Sequence, residues 1–137
     1  MTSLTEALRF TPMTLAERRI VEFPHGLIGL PGTRYGLIDD DLPVSWLQNL
    51  DHPACSIPVT DPFRFFERYA IELSDHEAER LAIGDLGRAS TYATIRHDHE
   101  LGLLVLNLRA PIVVVGERGY QVINQVADAS LRAPISA

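Results

Sequence analysis

The chain has 137 residues, 46% hydrophobic and 22% charged, with a net charge of −6: a globular balance that excludes a disordered chain and provides enough length for one domain, residues 1–137, burying roughly two-thirds of its unfolded surface. A single cysteine, Cys55, excludes an internal disulfide framework and any CxxC metal or redox motif, which fits a reducing compartment. Thirteen acids stand against five arginines between residues 35 and 100, so the charge is concentrated in the middle of the chain.

The first fifteen residues contain Glu6 and Arg9 and no continuous apolar run, so no secretory signal is read there. Thr14 and Glu17 fit a capping box, in a context that leaves helix and hairpin both open. A first strand is predicted over Arg19–Phe23. The following loop, bracketed by Pro24 and Pro31, carries Gly26, Gly29 and Gly32 at a spacing that matches neither GxGxxG nor a Walker loop, so a shaped turn is expected rather than a phosphate cradle. Leu27, Ile28 and Leu30 in this loop either fold back over the core or present an apolar patch. Strands Tyr35–Asp39 and Val44–Leu50 flank Asp39, Asp40 and Asp41, which read as a solvated turn before Pro43 rather than a divalent-ion site.

Cys55–Val59 alternates, with Cys55, Ile57 and Val59 on one face, which predicts a buried, inert thiol at mid-strand. Asp61 is placed to cap a helical turn with Pro62 at its first position, and Phe63, Phe65, Phe66 and Tyr69 follow to plug a barrel end. Phe65 and Phe66 are expected to fill the core, where Phe66→Ala would cost about 3–5 kcal/mol. A second helix is predicted from the Ser74/Glu77 capping box, the Leu73/Ala78 staple and Gly84 beyond its end. Ala78, Leu81 and Ala82 form its apolar side, and Asp75, Glu77 and Glu79 load its first turn with negative charge. Ala89–His97, Leu103–Arg109, Ile112–Val115 and Tyr120–Asn124 complete eight strands, a spacing that predicts an antiparallel barrel or sandwich. The apolar stretch Leu101–Val115 is broken by Asn107, Arg109 and Pro111 and cannot span a bilayer.

Candidate chemistry is thin. His97 and His99 could share a strand face and chelate a metal, but His97–Gly102 reads as a solvated hairpin tip, and no HExxH or distant cysteine pair supplies further ligands. No GxSxG elbow places a serine nucleophile. The acidic middle argues against direct nucleic-acid binding, which needs clustered cations. No cofactor or metal is expected, and no membrane.

Three segments, FPHGLIGL (Phe23–Leu30), TDPFRFFERYAIELSD (Thr60–Asp75) and LNLRAPIVV (Leu106–Val114), occur in an order and spacing that resemble the flagellar assembly factor FliW family, with its FPxGLxGF, TDPxxFFxxY and NLxAPI segments. The resemblance spans about residues 7–125, with Leu30 where the family usually has Phe. It implies a mainly β fold, a small antiparallel β-barrel-like domain with two short helices. It also implies a non-enzymatic cytoplasmic protein that binds flagellin and, when released, antagonises the translational repressor CsrA. On that reading Phe23, Pro24, Gly26, Gly29, Asp61, Pro62, Phe65, Phe66, Asn107 and Pro111 are scaffold. Leu27, Ile28 and Leu30 are the candidates for flagellin, and Asp39, Asp40, Asp41, Asp75, Glu77 and Glu79 for steering towards basic CsrA. The alternative is a barrel that binds a small molecule in its interior.

Overall fold

A computed structural model describes residues 18–39, 43–81 and 89–135. The Thr14/Glu17 box, Asp40, Asp41, Ala82 and Gly84 lie outside the described residues. Within them are nine strands: β1 Arg19–Glu22, β2 Arg34–Ile38, β3 Ser45–Asn49, β4 Ser56–Thr60, β5 Ser90–Asp98, β6 Leu103–Leu106, β7 Ile112–Val115, β8 Arg118–Gln121 and β9 Ala133–Ile135. A 3₁₀ turn, Pro62–Arg64, and one helix, α1 Asp75–Leu81, are the helical elements.

The strand order β4-β3-β2-β1-β8-β7-β5 returns to β4 through the β4–β5 pairing, so seven strands close a barrel. Six of its seven pairings are antiparallel. The seventh, β1–β8, is parallel and minimal: the register pair is Glu22 with Arg118, beside a bond from the Glu22 N–H to Glu117 O at 2.8 Å. Strand β5 is long because it serves two sheets. Ser90–Tyr92 pair with β7, Ala93 and Thr94 with β4, and Ile95–Asp98 with β6. Strand β9 adds to β6, completing a three-stranded flange, β5–β6–β9.

Period-two alternation sorts the side chains between two cores. On β3, Leu47 joins Phe23, Tyr35, Leu37 and Ile112 inside the barrel. Its neighbour Trp46 joins Ile38, Ile95, Leu106 and Ile135 in the core between the barrel wall and the flange. Both faces of β3 are therefore buried along its whole length. At the β1–β8 seam, where backbone pairing is thinnest, packing takes over. A Cβ at Gly119 would sit 2.4 Å from Phe23 Cε1, so the buried Phe23 ring fills the space a side chain at 119 would need. Tyr35 also packs against the ring, edge to face, at 5.7 Å between centroids.

The eight expected strands are present, with shifted ends. Strand β8 begins at Arg118 because Arg118–Gln121 pair with β7 in full, and β9 has no counterpart in the sequence expectation. Cys55 precedes β4 and is half-buried rather than buried at mid-strand. Its N–H bonds to His52 O at 2.8 Å in the β3–β4 turn. Phe65 and Phe66 pack against the flange core only half-buried, so truncating Phe66 should cost about 2 kcal/mol, less than a filled-core ring. Ala78 is exposed and does not staple α1; Leu73 packs near Val113 and Val122 instead.

Candidate functional site

The loop after β1 is a series of tight turns. Gly26, Gly29 and Gly32 all adopt left-handed φ, +73°, +76° and +75°, which side-chain-bearing residues rarely take and which explains their spacing by three. Gly26 N–H bonds to Phe23 O at 2.8 Å and Leu30 N–H to Leu27 O at 3.2 Å. Pro31 O accepts from the Tyr35 hydroxyl at 2.5 Å and from Asn49 Nδ2 at 2.8 Å, tying the loop to the buried wall. Burial raises the Tyr35 pKa above its ordinary value.

The three apolar candidates do not share one surface. Leu27, 6% exposed, belongs to the barrel core, Leu30 packs against it half-buried, and Ile28 alone projects at 62% exposure. The expectation of a three-residue patch is corrected to a single exposed tip, because the turn that exposes residue 28 directs its neighbours inward.

Side-chain hydrogen bonds tie the second and third segments to each other and to the first. Asp61 Oδ1 caps the 3₁₀ turn by accepting the Phe63 N–H at 2.9 Å, with Pro62 buried at its first position. Asn107 Oδ1 accepts the Arg109 and Ala110 N–H groups, each at 3.1 Å, and builds the corner that leads through buried Pro111 into β7. Asn124, 3% exposed, then joins segments: its Oδ1 accepts the Glu72 N–H at 3.0 Å and its Nδ2 donates to Ala70 O at 2.8 Å. The Tyr69 hydroxyl donates to Leu108 O at 2.7 Å, and burial raises its pKa. Gln121 bridges the first loop and the 107–111 corner, its Oε1 accepting the Ile28 N–H at 2.7 Å and its Nε2 donating to Ala110 O at 3.0 Å. A lone amide, at the end of β8 or three residues beyond it, has no sequence signature, so nothing marked Gln121 or Asn124 in advance.

The acidic candidates also separate. Asp39 is exposed but committed, accepting from the Ser45 hydroxyl at 2.7 Å and the Tyr92 hydroxyl at 3.1 Å. Burial, and then the adjacent Asp39 charge, push the Tyr92 pKa up to about 12. Asp75 and Glu79 are exposed on α1, whereas Glu77 is buried, its carboxylate accepting the Ile123 N–H at 3.3 and 3.4 Å. Ser74 does cap Glu77 N–H at 3.1 Å, but the return arm of the box is spent on Ile123. Glu77 is therefore a tether between α1 and the chain after β8, not a steering charge.

Near the β5–β6 turn, the His97 and His99 rings lie 5.0 Å apart, while Asp98 between them is buried and taken by Arg132 at 2.6 and 3.0 Å. No group of three or more His, Cys, Asp or Glu that could hold a metal occurs among the described residues, nor is any helix among them long and apolar enough to cross a membrane. The barrel interior is filled by its own side chains; a groove of about 590 Å³ lies outside it, between Phe66, Tyr69, Leu108 and Ala133.

The fold defines a class: a small closed β-barrel with a packed interior and a flange, presenting its distinctive loop on the outside. The chain belongs to the FliW protein family, whose model matches residues 5–135. Among similar proteins, the flagellar assembly factor FliW of Ruminiclostridium cellulolyticum is 31% identical over 81% of this chain and 78% of that protein. That of Bdellovibrio bacteriovorus is 34% identical over 93% of this chain and 75% of its own length. A crystal structure of the flagellar assembly factor FliW superimposes with a TM-score of 0.71 at 28% identity, covering 84% of both chains. The mainly β barrel implied by the sequence resemblance agrees with that structure.

Proposed function

We propose that this protein is a non-enzymatic, cytoplasmic regulator of flagellar assembly that acts as one domain, binding flagellin and, once released, binding and antagonising CsrA so that flagellin synthesis proceeds. The observation that carries the reading is the Ile28 tip: a large aliphatic side chain 62% exposed on a loop that turns at three left-handed glycines and is closed by hydrogen bonds. Exposed apolar groups on rigid, pre-shaped loops favour contact with another protein, because little conformational entropy is lost on binding. Family membership supports flagellar assembly as the setting.

For CsrA, a regulator that grips RNA through basic groups, exposed Asp75 and Glu79 together with the consecutive acids Asp39, Asp40 and Asp41 of the sequence offer the complementary sign. A small-molecule carrier is less well supported, since the barrel interior is occupied by its own core.

Ile28→Asp should weaken retention of purified flagellin by about tenfold, the scale of a modest interface anchor, while the melting temperature stays close to wild type. Undiminished flagellin binding by a folded variant would remove Ile28 from the interface. Neutralising Asp75 and Glu79 together should slow CsrA association and flatten its salt dependence; an unchanged on-rate would remove the acidic surface from that reading.

A further inference from the structure

Gln121 reaches the loop tip from 93 residues away in sequence. The loop already closes on itself without it, through the Gly26–Phe23 and Leu30–Leu27 backbone bonds and through Pro31 O. Of those bonds, only the one from the Leu30 N–H reaches the peptide between Leu27 and Ile28, whose orientation decides where the Ile28 side chain points; it holds the carbonyl side at 3.2 Å and leaves the N–H side to Gln121. Gln121 Oε1 accepts that peptide's N–H at 2.7 Å. The other end of the same amide is anchored, with Nε2 donating to Ala110 O at 3.0 Å in the corner that Asn107 stiffens. With a donor needed on one side and an acceptor on the other, the amide has one productive orientation, and a flip would set N–H against N–H.

We propose that Gln121 is the positioning residue of the Ile28 contact, holding the tip in its binding direction before the partner arrives. The proposal rests on the reading of Ile28 as the flagellin contact. Without Gln121 the tip peptide keeps one backbone bond, from the Leu30 N–H to Leu27 O at 3.2 Å, and the flanking Gly26 and Gly29 are the residues freest to change conformation. Only the fraction in the competent one can bind, and apparent affinity falls by that fraction.

Gln121→Met keeps the unbranched shape and removes both hydrogen bonds. Affinity for purified flagellin should fall about fivefold, the effect of one hydrogen bond of ordinary strength. Amide exchange at Ile28 should accelerate relative to Gly26 and Leu30, with little change in melting temperature. The deciding measurement is a double-mutant cycle with Ile28→Ala. If Gln121 acts through Ile28, the double variant binds no more weakly than Ile28→Ala alone; additive losses overturn the proposal. So does wild-type affinity in Gln121→Met when Ile28→Ala is weakened. If Ile28→Ala itself binds as wild type, the reading of Ile28 as the contact has failed and this inference falls with it. Should Gln121→Met melt early, Gln121→Glu keeps the acceptor towards Ile28: slow exchange with retained affinity supports the proposal, and slow exchange with lost affinity sinks it.

Discussion

The barrel seam and the flange solve the same problem by different physics. At the seam, β1 and β8 share a single register pair, and closure falls to an aromatic ring lodged against a glycine. In the flange, Ile95–Asp98 of β5 pair with all of β6, β9 pairs with Leu104–Leu106, and the outer face is fastened by charge. There Asp98 takes two bonds from Arg132, at 2.6 and 3.0 Å, and one from the Leu101 N–H at 3.0 Å. Arg132 also reaches Glu100 at 3.0 Å. The hydrogen bonds from Arg132, and then that from Leu101, hold the Asp98 carboxyl well below the usual carboxylate range. An apolar plug is indifferent to pH, whereas a buried carboxylate held by hydrogen bonds is not.

Three substitutions should break that contrast. The largest effect belongs to Phe23→Ala, which empties a fully buried ring site at the seam and should cost about 3–5 kcal/mol, read from chemical denaturation. Next is Gly119→Ala, whose methyl would meet the Phe23 ring at 2.4 Å; overpacking of this kind costs about 1–3 kcal/mol. Pairing it with Phe23→Leu should recover part of the loss, a coupling that distant sites would not show. The smallest effect at neutral pH should come from Asp98→Asn, whose signature is its pH dependence. The folded carboxyl titrates below its ordinary value near 3.8, so the unfolded chain takes up the proton first. The stabilisation is thus complete above that value and lost as pH falls through the folded one. Melting curves between about pH 2 and 7 should show wild type losing stability below about pH 4 more steeply than Asp98→Asn.

Much of this architecture was legible in the residues. Alternation and Pro/Gly punctuation placed eight strands, and Asp61-Pro62 announced its own capped turn. Strand β9 escaped because three residues around Pro134 hold too short a pattern to read. The candidate site was legible in part. The spacing of Gly26, Gly29 and Gly32 signalled a shaped loop, but which of Leu27, Ile28 and Leu30 faces water depends on turn geometry that composition does not encode. Glu77 had the local look of a first-turn surface acid; its partner, the Ile123 N–H, lies 46 residues downstream. Gln121 and Asn124 were invisible for the same reason, since the bonds that join segments, to Ile28 and to Ala70 and Glu72, reach residues more than 50 positions away.

Strand β9 carries one further consequence, for solubility. The barrel strands close on one another through β4 and β5, leaving β9 at the end of the strand order. An exposed sheet edge is a template on which a second chain can add a strand and begin an aggregate. Here that edge is three residues long and its middle residue, Pro134, has no N–H to offer. A would-be neighbouring strand finds too few partners to gain a foothold, so the position least favourable for building a sheet is the one left at its rim.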